Sequence, residues 1–156
     1  MKQGISALLM RYAQEVPPDD ARAIMRLSVL DWAACGIAGH RADGFAEWAA
    51  ALRGQGPCIR FDGRSGHMAE AALVNGTMSH ALDYDDTHFA HIGHPSVVVV
   101  SAALAVAQAR EATLDQMVDA ALVGAEASVA AGLWLGRGHY QVGYHQTATA
   151  GTFGAA

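Results

Sequence analysis

Lysine is almost missing from this sequence: Lys2 is the only one among 156 residues, and arginine supplies the rest of the basic side chains. Lys and Arg together number 10 against 15 Asp and Glu, for a net charge of −5, and they form no block or stripe. That excludes nucleic acid as the expected partner, because neutralising a phosphate backbone needs a concentrated cationic face. Charge of either sign is scarce at 16%, while 52% of the residues are hydrophobic, a balance that builds a packed core rather than a disordered chain. Cysteine is limited to Cys35 and Cys58, read as buried free thiols in a reducing compartment rather than as a disulfide. The apolar patch after Lys2 stops at Arg11 and does not resemble a secretory leader. The run SVVVVSAALAVAQA falls short of the ~18–20 apolar residues that span a bilayer. A cytoplasmic protein with no membrane partner is the expectation. Catalytic signatures are missing as well: there is no GxSxG elbow, no HExxH, and GLWLGRG lacks the Lys and Ser/Thr of a phosphate-binding loop.

Helical periodicity is what the chain has in quantity. Ile5 to Glu15 reads as a short amphipathic segment closed by Val16-Pro17-Pro18. Asp19 and Asp20 then suit the first turn of a helix running to about Ile37, with Ile24, Leu27, Leu30 and Ala34 on one face. A shorter helix follows from about Phe45 to Leu52. PCIRFDGRSG is the one strand-like patch, and its Asp62-Gly63 turn predicts a short hairpin near residues 57–63. Helix resumes from Met68, here taken to persist to Tyr84 or Thr87. Pro95 suits the first turn of a helix to about Arg110, and Thr113 with Gln116 reads as a capping box opening a helix to about Leu135. GRGHYQVGYH reads as a glycine-rich loop, with QTATAGTFGAA opening another helix. The expected fold class is all-α: one helical bundle domain over residues 1–156 with at most a short hairpin arm.

Polar chemistry is concentrated in ALDYDDTHFAHIGHPS, which holds three aspartates and three histidines between alanine-rich flanks. On a helix persisting to Thr87, the residues His80, Asp83 and Thr87 share a face. Asp85 and Asp86 then point elsewhere, in structural or supporting roles. His94 precedes Pro95 and so stands at about the N-cap of the next helix, where a ring can accept a proton and where the helix end attracts an anionic group. His145 stands just before QTATAGT in the same relation to a second helix start, with Thr147 as its N-cap. Two chemistries compete. His88, His91 and His94 at three-residue spacing, with an aspartate, would make a metal-dependent hydrolase or metal-binding module, although Gly93 and Pro95 break the helix that would align the rings. General acid–base chemistry by His94, His145 and Asp83 on a small anion needs neither metal nor other cofactor. A third expectation is a helical interaction protein without activity.

The long motifs favour the acid–base reading. NGTMSHALDYDDTH, followed by GHPS, AALAVAQ and GYHQTATAGTFGAA, resembles the MmgE/PrpD family, and VLDWAACGIAG extends the resemblance over essentially the whole chain. That family includes 2-methylcitrate dehydratase, cis-aconitate decarboxylase and iminodisuccinate epimerase. The resemblance implies an all-helical domain joined to an α/β lid domain that is absent here, and metal-free, homodimeric lyases or isomerases acting on small di- and tricarboxylates. It places catalytic positions on Asp83, His94 and His145 and a substrate-binding position on Thr87. The family's catalytic lysines and tyrosine have no counterpart here, so the cation for a carboxylate falls to Arg137. On this resemblance the chain is expected to be the N-terminal portion of a longer two-domain enzyme, with little activity by itself.

Overall fold

The computed structural model describes residues 7, 10–11, 13–42 and 44–156, so the expected helix from Ile5 to Glu15 lies largely outside the described residues. The first long helix, α1 (Asp19–Gly39), opens on the acid pair Asp19 and Asp20. Its buried residues are Met25, Trp32, Cys35, Gly36 and Gly39. This corrects the expected inner face: Ile24, Leu27, Leu30 and Ala34 are exposed. Close approach explains the choice, because a Cβ on Gly39 would lie 1.9 Å from the Met78 carbonyl oxygen, a separation only glycine permits. Gly36 and Gly39 therefore share the inner face with Met25, Trp32 and Cys35, and the aliphatic stripe is turned outward.

After α2 (Phe45–Ala51), strand β1 (Cys58–Ile59) pairs antiparallel with β2 (Ser65–Gly66), Cys58 opposite Gly66. The hairpin exists as expected, but its second strand lies beyond the expected end at 63. It is tied down by Arg60, whose buried guanidinium donates to the carboxylates of Asp62 and Glu70 and to the carbonyls of Ala49 and Leu52. A buried cation is tolerable only when each donor finds such an acceptor. Cys35 and Cys58 are both free and buried, and burial raises the Cys35 thiol, helped by the charge of Asp31.

The remaining helices are α3 (Met68–His80), α4 (Pro95–Ala109), α5 (Leu114–Gln141), α6 (Gln146–Thr149) and α7 (Gly151–Ala155). The architecture is mainly helical with one short hairpin. Helix α4 is central, packed against α1, α3, α5 and α7. Val99 and Val100 of α4, Met25 and Trp32 of α1, and Met117, Val118 and Ala121 of α5 make the main core. Trp32 donates its indole N–H to Ser101 at 2.9 Å, so the buried ring keeps its polar edge satisfied. A second cluster joins Ala49, Val74 and Met78 beside the hairpin. Helix α5 is long and apolar enough to cross a membrane by length and composition. Met117, Val118, Ala121, Gly124, Ala127, Ser128, Ala131 and Gly132 form its buried side, so packing accounts for much of that apolarity.

Two helix ends differ from expectation, and both matter for the site. Helix α3 stops at His80; Ala81 and Leu82 turn, and Asp83 takes a left-handed φ of 55°. Aspartate side chains compete with the helix for local partners, and here Asp85 and Asp86 find theirs off the helix axis. Helix α5 does not end at Leu135: it kinks at Gly136 (φ 71°, ψ 174°) and continues to Gln141. Glycine admits that conformation without steric cost, so the expected glycine-rich loop is partly helical.

Candidate active site

His94 occupies the N-cap of α4 with Pro95 behind it, but its side chain makes no cap bond. Asp86 performs that task instead. One carboxylate oxygen accepts from the Ser96 amide at 3.2 Å and the other from the Ser96 hydroxyl, while the Asp86 amide donates to Asp31 of α1 at 3.0 Å. The His94 ring is thereby left for other work. Its Nδ1 lies 3.1 Å from the backbone oxygen of Asp85 and 3.3 Å from the Asp85 carboxylate. A carbonyl oxygen only accepts, so Nδ1 of His94 carries the hydrogen, and Nε2 is the ring atom left for exchange. That Nε2 stands 3.5 Å from Oδ1 of Asp83, whose side chain is largely exposed.

The same Asp85 carboxylate serves a second imidazole. His80, the last residue of α3, places Nδ1 2.9 Å and 3.1 Å from the two oxygens. The Asp85 side chain is only 1% exposed. Its hydrogen bond, opposed by partial burial and supported by the charges of Asp85 and Asp83, raises the His80 pKa above the usual histidine range. The two rings meet edge to face with centroids 4.7 Å apart. His80, Asp83, Asp85 and His94 each present a donor atom within 4.8 Å of the others, among the described residues the one such group of three or more. With both Nδ1 atoms turned to Asp85, the two Nε2 atoms and the Asp83 carboxylate are what remains for a proton, a substrate or a cation.

The second helix start adjoins the first. His145 is the N-cap of α6, two positions earlier than Thr147, which was expected for that role. Thr147 is buried and its hydroxyl accepts from the His94 amide at 3.0 Å, which locks the α6 start to the α4 start. His145 is exposed, and with His80 and Thr147 it lines a groove of about 620 Å³ whose walls include Gly76, Thr77, Val97 and Ser101. The lining is mostly apolar, with His80, His145, Thr147, Thr77 and Ser101 as its polar members, and neither His94 nor Asp83 belongs to it.

The other expected residues are dispersed. Thr87 is exposed and shares no helix with Asp83, since α3 has already ended. Arg137 lies on the last turns of α5 and stacks over Phe89, with its guanidinium carbon 5.6 Å from the ring centroid, outside the groove lining. The proposed triple of His88, His91 and His94 does not converge. His88 forms a bridge with Gly93 and accepts from the His91 amide at 3.3 Å, while His91 is completely buried. Neither ring nitrogen of His91 makes a well-formed hydrogen bond, although the Gln146 carboxamide lies beside the ring; burial, then the nearby His88, lowers its pKa against the opposing effect of Gln146. The glycine and proline that break the segment send the three rings to different surroundings. His80 and Asp85 are what sequence reasoning underrated. The available signal was a histidine closing an apolar helix five residues before an aspartate that no helix could hold.

In this mainly helical domain one buried carboxylate orients two imidazoles, one of which, His80, lines a groove. Residues 3–156 match the family model for the MmgE/PrpD N-terminal domain, which covers nearly all of the chain. The chain belongs to the MmgE/PrpD family. No curated protein matches it significantly.

Proposed function

We propose that this chain contributes the helical half of an acid–base site acting on a small di- or tricarboxylate, at a carbon next to a carboxyl group. The supporting observation is His94. Main-chain and side-chain oxygens of Asp85 hold its Nδ1–H, and its Nε2 is turned to the exposed carboxylate of Asp83. In this reading His94 takes the proton and Asp83 orients the ring or a substrate hydroxyl. His145 acts from the other helix start. Thr87 and Arg137 bind substrate only through movement of the loop between α3 and α4 and of the last turns of α5, because in this structure both lie apart from the groove lining. Dehydration, decarboxylation and epimerisation share the need for a stabilised carbanion- or enolate-like centre, which one positioned imidazole can serve. A homodimer extended by a second, lid-forming domain belongs to the same proposal.

The test is deuterium uptake and product formation from a panel of citrate-like and dicarboxylic acids in D₂O, followed by NMR. In a full-length, two-domain form, His94→Ala or His145→Ala should lower turnover by roughly 10²–10⁴-fold with the helical circular dichroism unchanged. Undiminished exchange in both variants would sink the assignment.

A further inference from the structure

We propose that His80 is a second proton-transfer residue of this site, paired with His94 and held in position by the shared carboxylate of Asp85. This rests on the acid–base reading above and extends it to a residue that lies outside the set Asp83, His94 and His145. Three observations carry it. His80 lines the groove and its side chain is 34% exposed, so its ring can reach a bound molecule. The Asp85 carboxylate, fully enclosed, accepts from Nδ1 of His80 and so leaves Nε2 of that ring as the exchangeable atom. The ring stands 4.7 Å from that of His94, which lies behind it outside the groove lining, so a molecule bound against His80 is within one ring's reach of the second imidazole.

The two rings are set up differently. His94 is gripped by the Asp85 backbone carbonyl as well as by the carboxylate, whereas His80 is held by the carboxylate alone. Asp85 shifts His80 toward the protonated form, the state required of a donor. In the step, a proton leaves the substrate carbon for Nε2 of His94 and the C–H electron pair remains on the substrate as an enolate. A second proton passes from Nε2 of His80 to the enolate oxygen, the N–H bond breaking as the O–H bond of the enol forms. One proton is gained and one lost by the pair, so charge balances and no co-reactant enters. The charged and titratable groups facing His80 are Asp83, Asp85 and His94 from the loop, with His145 on the same groove.

Long-range ¹H–¹⁵N spectra of the histidine rings test this without any turnover assay. In the protein as it stands, Nδ1 of both His80 and His94 should carry hydrogen. Asp85→Asn should move His80 toward the Nε2–H tautomer and leave His94 unchanged, because its carbonyl partner survives. A merely structural Asp85 would shift both rings alike or neither, and either result overturns the assignment of Asp85 as a positioning residue. Titration with citrate supplies the second arm. The Nε2 resonances of His80 and His94 should respond together, and Asp85→Asn or His80→Gln should weaken citrate binding by about tenfold, the loss of one charge-assisted hydrogen bond. Citrate shifts confined to His94, His145 and Thr147 would overturn the role of His80 and leave the acid–base reading intact. The absence of any shift at all would overturn both. Stoichiometric zinc that blocks the Nε2 atoms and leaves only with chelator would also refute the pair.

Discussion

The backbone N–H of His94 donates to the hydroxyl of Thr147 at 3.0 Å, joining two helix starts 53 residues apart in the chain. This bond holds the start of α4 against the start of α6 and so sets the distance between the two loops that carry the histidines. Thr147→Val removes the acceptor while preserving shape and leaves the His94 amide unpaired in a half-buried position. The expected cost is about 1–3 kcal/mol in denaturant unfolding. Thr147→Ser keeps the acceptor and should recover most of that stability. Equal losses in the two variants would show that the methyl group, not the hydroxyl, carries the effect.

Asp86 caps α4 in place of His94, through the amide and hydroxyl of Ser96. Asp86→Ala should therefore cost about 1 kcal/mol, as N-cap removal does, and lower the thermal midpoint by about 3 °C. Asp86→Asn retains an acceptor oxygen and should lose less. Calorimetry of the two variants beside the parent protein decides it.

His91 is completely buried, with no well-formed hydrogen bond at either ring nitrogen and only the Gln146 carboxamide beside it. Burial lowers its folded pKa below the ordinary value of 6.5, with the neighbouring His88 adding to the effect. The unfolded chain then binds the proton more tightly, so this residue's contribution to stability is complete above the ordinary value and declines as pH falls below it. His80 runs in the opposite sense: its raised pKa adds stability at low pH that is lost as pH rises through the folded value. Urea unfolding from pH 7.5 to 5 should show a loss of stability that His91→Leu reduces and that His80→Gln makes steeper. If His91→Leu leaves the acid slope unchanged, the buried ring is not its source.

Gly39 and Gly138 make a matched pair of opposite sign. A methyl group on Gly39 would sit 1.9 Å from a backbone oxygen of α3, which no rotamer change can relieve, whereas Gly138 has nothing within 4 Å of its would-be Cβ. Gly39→Ala should cost about 2–3 kcal/mol by forcing α1 and α3 apart. Gly138→Ala, in a helical stretch, should be neutral or stabilise by up to about 1 kcal/mol. Thermal melts of both variants check the contrast, and an unperturbed Gly39→Ala would mean that the α1–α3 crossing is looser than described.

Much of the helical frame was legible because its signals are local. Pro95 at the first turn of α4, the Thr113–Gln116 capping box before α5 and the acid pair at the start of α1 each act within one turn of the chain. The placement of His94 at a helix start followed from the same local chemistry, as did His145 to within the choice of cap residue. The hairpin was legible through its Asp62-Gly63 turn, though not its second strand, whose pairing depends on a partner several residues away.

What neighbouring residues cannot express was decided by packing. Periodicity alone favoured Ile24, Leu27 and Leu30 as the inner face of α1, yet Gly36 and Gly39 face inward, Gly36 making room for the Phe61 ring of the hairpin and Gly39 for the backbone of α3. Helical continuation through Asp83 was the natural local reading. The chain leaves the helix at His80 because Asp85 finds two imidazoles and Asp86 a helix end, partners that exist only once α4 is in place. The sequence by itself therefore determined the helices, their caps and the segment that carries the chemistry. Only the tertiary structure decided that His80 joins His94 across Asp85 while His88 and His91 part from it, since a buried carboxylate is stable only where separate elements bring it hydrogen-bond donors.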